Sequence, residues 1–205
     1  MGGPEIRPAG RDELRTLAAL FGAARATRHC WCTAFCTTSW QFATGWYGGG
    51  NRRRFEALAA ASPAPMGVLA FEGDDPTGWC ACGPRSRYAA ALAGRSRLLA
   101  SRPRDEDDDV WLIACLVVRP DRTGTGLVMP LLRGAVATAR EGGATAIEAW
   151  PLARGVRRPG TEHVGREALF ARLGFRRVDQ PAPDRVLMRL ELSGSRAPSP
   201  DAGPG

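Results

Sequence analysis

At 205 residues, the chain is long enough for one domain with a sizeable hydrophobic core. Its formal charge of +7 comes entirely from arginine, and the lack of any lysine excludes a nucleotide P-loop, a pyridoxal Schiff base and a protein-kinase site. The scattered arginines, and the lack of a long apolar run or an apolar signal region, predict a cytoplasmic protein with neither nucleic acid nor membrane as partner.

The first half of the chain predicts short strands and helices around one aromatic segment. Periodicity predicts a strand over residues 5–8, a helix over 11–24, a helix over 52–61, hairpin strands over 66–72 and 77–82, and a helix over 88–100. Residues 28–50 are rich in aromatic and cysteine side chains without clean periodicity, so we expect either a packed irregular wall or the roof of a pocket. The acidic run at 105–109 is interpreted as a solvated turn, with attraction of a cationic amine as the alternative.

Residues 110–151 predict a parallel strand–helix–strand unit. The apolar run VWLIACLVV suits a strand buried on both faces, and residues 121–126 (DRTGTG) form the turn that follows. From Leu127 the apolar residues repeat at helical spacing until Gly142, and AIEAW then returns as a strand. The glycine turn therefore lies at the N-terminus of the crossover helix, where backbone amides and the helix dipole attract a phosphate.

The glycine turn alone has more than one interpretation. A dinucleotide-binding fingerprint needs glycine or alanine at position 129, which is Met129. A lone Gly-x-Gly also fits a tight strand-to-helix turn without any ligand.

Two segments of the second half resemble motifs of the GNAT superfamily of N-acetyltransferases. VVRPDRTGTGLVMPLL is similar to the coenzyme A loop of the family, and REALFARLGFRRV, further downstream, is similar to its short helix ending in Gly-Phe. The segments GWCACGPR, WLIACLVV and EAWP resemble a branch of mostly uncharacterised bacterial members. The resemblance implies an α/β fold with a GNAT-like mixed central sheet flanked by helices. The resemblance runs from roughly Met66 to Leu192, and more loosely from Ile6. We predict a single acyltransferase-like domain over residues 1–192 and a disordered tail over residues 193–205.

The resemblance also implies an N-acetyltransferase that moves the acetyl group of acetyl-coenzyme A to an amine of a small molecule or protein by direct attack. We expect the coenzyme to contact the strand end, the turn, the first helical residues and the short helix: Leu116, Val117, Val118, Thr123, Gly124, Thr125, Gly126, Leu127, Val128 and Phe170. Three positions depart from the family pattern. Thr123 replaces the usual Arg or Gln, Val128 replaces Gly or Ala, and Phe170 replaces a tyrosine that commonly protonates the leaving thiolate. A catalytically silent acyl-coenzyme A binding module is therefore the alternative function. The oligomeric state is left undecided, with a homodimer as one possibility.

Two side chains are candidates for accepting the amine proton. Glu148 stands inside an apolar strand, where burying a carboxylate is costly unless it has a partner or a function. It is therefore a candidate base, and the alternative interpretation is a structural glutamate that is ion-paired or hydrogen-bonded. His163 precedes the short helix at the expected mouth of the site, and the alternative is an exposed loop histidine. An amide near Val117 or Val118 is expected to donate to the thioester oxygen.

The six cysteines are expected to be reduced thiols in the cytoplasm. Cys115 could carry an acyl group, but its apolar strand favours core packing. A zinc site built from Cys30, Cys32 and Cys36 has unusual spacing, so no metal is predicted.

Overall fold

A computed structural model describes residues 3–23, 25–93, 99–157 and 162–192. Its strands are β1 (Glu5–Ala9), β2 (Gly67–Glu72), β3 (Asp75–Pro84), β4 (Val110–Val118), β5 (Ala146–Ala149), β6 (Arg176–Ala182) and β7 (Arg185–Glu191). Its helices are α1 (Leu14–Gly22), α2 (Arg25–Cys30), α3 (Ser39–Thr44), α4 (Gly50–Ala61), α5 (Ala89–Ala93), α6 (Val128–Glu141) and α7 (Glu167–Ala171). Within these ranges, each helix is too short or too polar to cross a bilayer.

The described strands form one mixed sheet in the order β1-β2-β3-β4-β5-β7-β6. β4 and β5 are parallel, and every other neighbouring pair is antiparallel. The predicted strand–helix–strand unit is confirmed as β4, α6 and β5, because a parallel pair needs a crossover connection and a helix supplies it. The predicted α/β fold with a mixed sheet flanked by helices is confirmed with it.

Helix α6 packs closely on the N-terminal strands of the sheet. Its buried stripe consists of Leu131, Leu132, Ala135, Val136, Thr138 and Ala139. A Cβ atom on Gly134 would lie 2.3 Å from Cγ2 of Ile6, and one on Gly78 would lie 2.9 Å from Leu127 and Leu131 methyl carbons. Both glycines therefore allow a close approach of helix and sheet that a larger side chain would block.

A bulge in β4 interrupts the alternation of its side chains. Ala81 of β3 pairs with Cys115, whereas the next residue, Cys82, pairs with Ile113, so Ala114 has no partner residue on β3. Ala114 and Cys115 consequently both belong to the hydrophobic cluster on the α1 side, and Leu116 belongs to the cluster on the α6 side. Bulges of this kind re-aim side chains beside binding sites.

The structure corrects three expectations. The helix predicted over residues 88–100 is described only as α5, and Leu99 and Ala100 lie in a turn. The segment predicted to be irregular contains α3, which begins with a reciprocal capping box between Thr38 and Gln41. The acidic run is not merely a solvated turn, because Glu106 and Asp107 form ion pairs with arginines of the protein interior. The predicted tail at 193–205 and residues 94–98 lie outside the described residues.

Candidate active site

The candidate site opens where β4 and β5 diverge. β5 pairs with β4 only from Val110 to Ile113, so β4 continues past β5 through Val118. A cavity of about 870 Å³ lies at this extension. Its described lining comes from the N-terminal segment, the β4 end, the glycine turn and the region around α7: Thr27, Cys30, Cys32, Ala34, Phe35, Phe42, Trp46, Cys115, Leu116, Val117, Val118, Arg122, Thr123, Gly124, Gly126, Leu127, Val128, Met129, His163, Leu169 and Arg172.

The glycine turn presents unpaired amides at one end of the cavity. Gly124 and Gly126 have φ angles of +84° and +85°, and a Cβ atom on either would meet nothing within 4 Å. Within the described residues, the amides of Gly124, Gly126 and Leu127 donate no backbone hydrogen bond, and no side chain caps α6. This arrangement, at the N-terminus of a 14-residue helix, can bind a phosphate group through backbone N–H donors and the helix dipole.

Aromatic side chains line the cavity on the side of the N-terminal segment. Phe35, Phe42 and Trp46 all face it, and the rings of Phe42 and Trp46 meet edge to face with centroids 5.5 Å apart. Asn51 holds this segment in place: its buried side-chain amide donates to the carbonyls of His29 (2.9 Å) and Phe42 (3.2 Å). Of the two alternatives expected for this segment, a packed wall and the roof of a pocket, the structure shows features of both, because these side chains line the cavity while Asn51 holds the segment. We call Phe35, Phe42 and Trp46 the aromatic wall.

The chain reverses sharply where this wall begins. Trp31 and Cys32 both have left-handed backbone conformations, with φ near 50°. Non-glycine residues adopt this region at a cost that surrounding packing must offset. Buried Trp31 packs against Phe21, at 5.3 Å between ring centroids, and holds the turn that brings Cys32 to the cavity.

The cysteines beside the cavity are weakly acidic thiols. Burial raises the pKa of Cys30 to about 12. A hydrogen bond with the thiol of Cys115, together with burial, raises the pKa of Cys32 well above its ordinary value. Within the described residues, no group of three or more His, Cys, Asp or Glu side chains is arranged to hold a metal ion.

Glu148 lies in a buried cluster of charged residues and does not line the cavity. Its side chain is 0% exposed. One carboxylate oxygen accepts from Arg85 at 3.1 Å, and the other accepts from Arg102 at 2.8 Å and Arg189 at 3.2 Å. We call these four residues, together with Asp107 and Glu106, the charge cluster.

The acidic run completes the charge cluster. Asp107 accepts from Arg85 at 2.6 Å, and Glu106 accepts from Arg189 at 2.8 Å. The bond with Arg189 holds the pKa of Glu106 below its ordinary value. These contacts fasten Glu106 to β7 and Asp107 to the turn that follows β3. Because the same two arginines also bond Glu148, they support an ion-paired structural role for it.

His163 does line the cavity, from a 3₁₀ turn (Glu162–Val164) that precedes α7. The structure thus brings His163 together with the β4 end and the glycine turn, and it places Glu148 elsewhere. Imidazole is a common general base in proteins, so its place in the lining makes His163 a candidate for that role.

The expected coenzyme contacts line the cavity, except for Thr125 and Phe170. Thr125 instead donates its hydroxyl to the carbonyl of Arg122 at 2.7 Å. Phe170 is fully buried, and a Cβ atom on Gly165 would lie 2.9 Å from its ring and 3.2 Å from Leu116. Phe170 therefore packs behind the β4 end. Sequence reasoning missed Arg172 as a lining residue; it directly follows α7 and carries no distinguishing pattern.

Comparison with known proteins adds structural likeness at low sequence identity. No protein-family model and no curated protein matches the chain. The protein yncA of Salmonella typhimurium, solved with its cofactor acetyl-CoA, is 18% identical with a TM-score of 0.58, and the match covers 98% of this chain and 100% of that one. The PaiA N-acetyltransferase of Thermoplasma acidophilum, solved with coenzyme A, is 14% identical with a TM-score of 0.53, covering 93% and 100%.

A third similar structure is the ribosomal-protein-alanine N-acetyltransferase of Brucella melitensis. It is 17% identical with a TM-score of 0.55, and the match covers 92% of this chain and 99% of that one. Other similar structures are described as members of the GNAT family or as its domains. The chain therefore has the fold of the GNAT N-acetyltransferases.

Proposed function

We propose that the protein is an N-acetyltransferase that moves the acetyl group of acetyl-coenzyme A to the amine of a small molecule or protein. One observation carries this proposal. A single cavity joins the unpaired amides of the glycine turn, the free end of β4, a histidine and an aromatic wall. Two structures of the same fold were solved with coenzyme A or acetyl-CoA, which supports the choice of cosubstrate.

In this proposal the coenzyme lies along the turn and the β4 end. Its pyrophosphate accepts hydrogen bonds from amides of the turn between Thr123 and Val128. Its thioester arm follows the β4 end toward Val117 and Val118, whose backbone amides are candidates for stabilising negative charge on the thioester oxygen. Thr123 and Val128, the two residues of the turn that depart from the family pattern, both line the cavity. In this proposal the phosphates are therefore bound mainly by backbone amides rather than by side chains at these positions.

The reaction is direct attack of a neutral amine on the thioester carbonyl. The nitrogen lone pair forms the new C–N bond, the C–S bond breaks, and coenzyme A leaves as a thiolate. The amine gives up one proton, and the departing thiolate takes one up. A general base must lie within hydrogen-bond reach of the amine, directly or through one water.

We assign the base to His163 rather than to Glu148. His163 lines the cavity that an amine can enter, whereas Glu148 does not line it and its side chain is 0% exposed. With Phe170 at the position of the family's tyrosine, no phenol there can protonate the thiolate, so solvent or the imidazolium formed at His163 supplies that proton.

The alternative function is an acyl-coenzyme A binding module without turnover. The phenylalanine at position 170 favours it, because the family's usual general acid is missing. Release of free thiol from acetyl-CoA in the presence of amines, with the acetylated product detected by mass spectrometry, separates the two. The proposal predicts amine-dependent thiol release, and coenzyme binding without it would establish the binding module instead.

A further inference from the structure

The aromatic wall is built like a ligand surface rather than like core filling. Phe42 and Trp46 are only half-buried and face the cavity, although neither belongs to the described hydrophobic clusters. Phe35 also lines the cavity and packs on buried Trp150, with ring centroids 4.8 Å apart. Partly exposed rings that converge on a cavity offer flat faces and edges to another apolar ring.

The wall is also held in place before any ligand arrives. The capping box of Thr38 and Gln41 fixes the start of α3, and Asn51 bonds the carbonyl of Phe42 from below. Asn51 is 1% exposed, so its bonds to the carbonyls of His29 and Phe42 come from a buried side chain, whereas the capping box lies at the surface. A preorganised ring surface binds with less loss of conformational freedom than one that must order on binding.

Charge near the cavity favours a single amine over a polycation. Among the side chains that the structure describes in the lining, the ionisable groups other than thiols are those of Arg122, Arg172 and His163. Acidic residues that could attract a polyamine are engaged elsewhere, since Glu106 and Asp107 pair with arginines of the charge cluster. Arg122 is itself paired with Glu72 and Asp121, and the described lining contains no carboxylate that could hold the further positive charges of a polycation.

We infer that the acceptor is an arylalkylamine, in which one primary amine stands on a short chain attached to an aromatic ring. The ring lies against Phe42 and Trp46, and the short chain directs the amine toward His163 and the β4 end. This inference rests on the proposed acetyl transfer and names its substrate class.

The first test compares acceptors at saturating acetyl-CoA by thiol release. Tryptamine and 2-phenylethylamine should have kcat/KM values about tenfold to a hundredfold above that of ethylamine, which carries the same amine without the ring. Spermidine, glucosamine and a lysine-containing peptide should be poorer still. A kcat/KM for any of these three equal to that for the arylalkylamines overturns the inference and leaves acetyl transfer standing.

The second test changes the wall. Trp46→Ala should raise KM for 2-phenylethylamine about tenfold while the Kd for acetyl-CoA stays unchanged. Trp40→Ala is the matched control, because Trp40 is 74% exposed and does not line the cavity. Phe42→Leu keeps an apolar side chain and provides a second variant if Trp46→Ala fails to fold. Equal KM values in the wall variants and the control contradict the inference.

A binding measurement separates failure of the inference from failure of the proposed function. Calorimetric titration of 2-phenylethylamine into the protein saturated with coenzyme A needs no turnover. Binding that weakens in Trp46→Ala but not in Trp40→Ala supports the aromatic acceptor site even if no amine releases thiol, in which case only acetyl transfer fails. No binding of the amine overturns the inference.

Discussion

The charge cluster and the cavity differ in what their polar groups contact. In the charge cluster, carboxylates and guanidinium groups are buried together, and each oxygen of Glu148 is occupied by an arginine. In the cavity, most of the described lining is apolar, and the imidazole of His163 stands where a ligand can reach it. The buried carboxylate of Glu148 thus belongs to an ion-pair cluster, and the side chain that we propose as the base lines the cavity.

The largest expected effect on stability comes from Glu148. Glu148→Gln removes the negative charge that faces Arg85, Arg102 and Arg189, so it should lower the free energy of unfolding by about 3–5 kcal/mol. Urea unfolding followed by circular dichroism measures this loss. Glu191→Gln is the matched control, since Glu191 bonds the same Arg189 at 2.7 Å but its side chain is 71% exposed. The control should change stability by about 0.5 kcal/mol or less.

One result for Glu148→Gln would contradict this comparison between the charge cluster and the cavity. If Glu148→Gln kept its full stability and bound acetyl-CoA normally but lost amine-dependent thiol release, the carboxylate would be the base. The charge cluster would then be part of the reaction site rather than a purely structural group of ion pairs.

The next effect concerns turnover. His163→Gln should lower kcat about 10²- to 10⁴-fold near neutral pH, with circular dichroism checking that the variant is folded. Thiol release should recover partly as pH rises, because more of the amine is then neutral without a base. His29→Gln is the control, as His29 is the only other histidine and does not line the cavity. Equal activity of both variants assigns proton removal to solvent or to the substrate.

The smallest effect concerns Cys30, which lines the cavity, and Cys36, which lies outside its lining. Burial raises the pKa values of Cys30 and Cys36 to about 12, so both thiols should react with iodoacetamide about a thousandfold more slowly at pH 8 than a free cysteine. The alkylation rates should rise about tenfold per pH unit up to about pH 11. Acetyl-CoA should protect Cys30, which lines the cavity, more than Cys36, which does not. Peptide mapping by mass spectrometry reads both sites, and equal protection would contradict the placement of the ligand.

The sequence predicts the strand–turn–helix part of the site better than the rest. Residues 110–149 alternate between strand, glycine turn and helix within one continuous stretch, so local periodicity is enough to place them. The bulge at Ala114 is different, because it depends on the register with β3 and leaves no local mark. The chain pattern therefore does not show that Ala114 and Cys115 face the same side.

The partners of Glu148 could not be predicted for a related reason. Arg85, Arg102 and Arg189 reach it from three separate parts of the chain, so no sequence spacing connects them. In contrast, α3 had a local signal in the Thr38-x-x-Gln41 capping box, which the aromatic composition of the segment obscured. The single-domain boundary, the homodimer and the cytoplasmic location stay predictions.

The most direct test of the central claim is calorimetric titration of acetyl-CoA into two glycine variants. Gly126→Asp places a negative charge at the turn where the pyrophosphate is proposed to bind. Gly143→Asp makes the same change just after α6, at a residue that also has a positive φ (+78°) and open space around its Cβ, but does not line the cavity. Both substitutions carry a similar backbone cost of about 1–2 kcal/mol.

The account predicts a Kd at least about a hundredfold weaker for Gly126→Asp and within about twofold of the unmodified protein for Gly143→Asp. Unchanged affinity in a folded Gly126→Asp variant would contradict it.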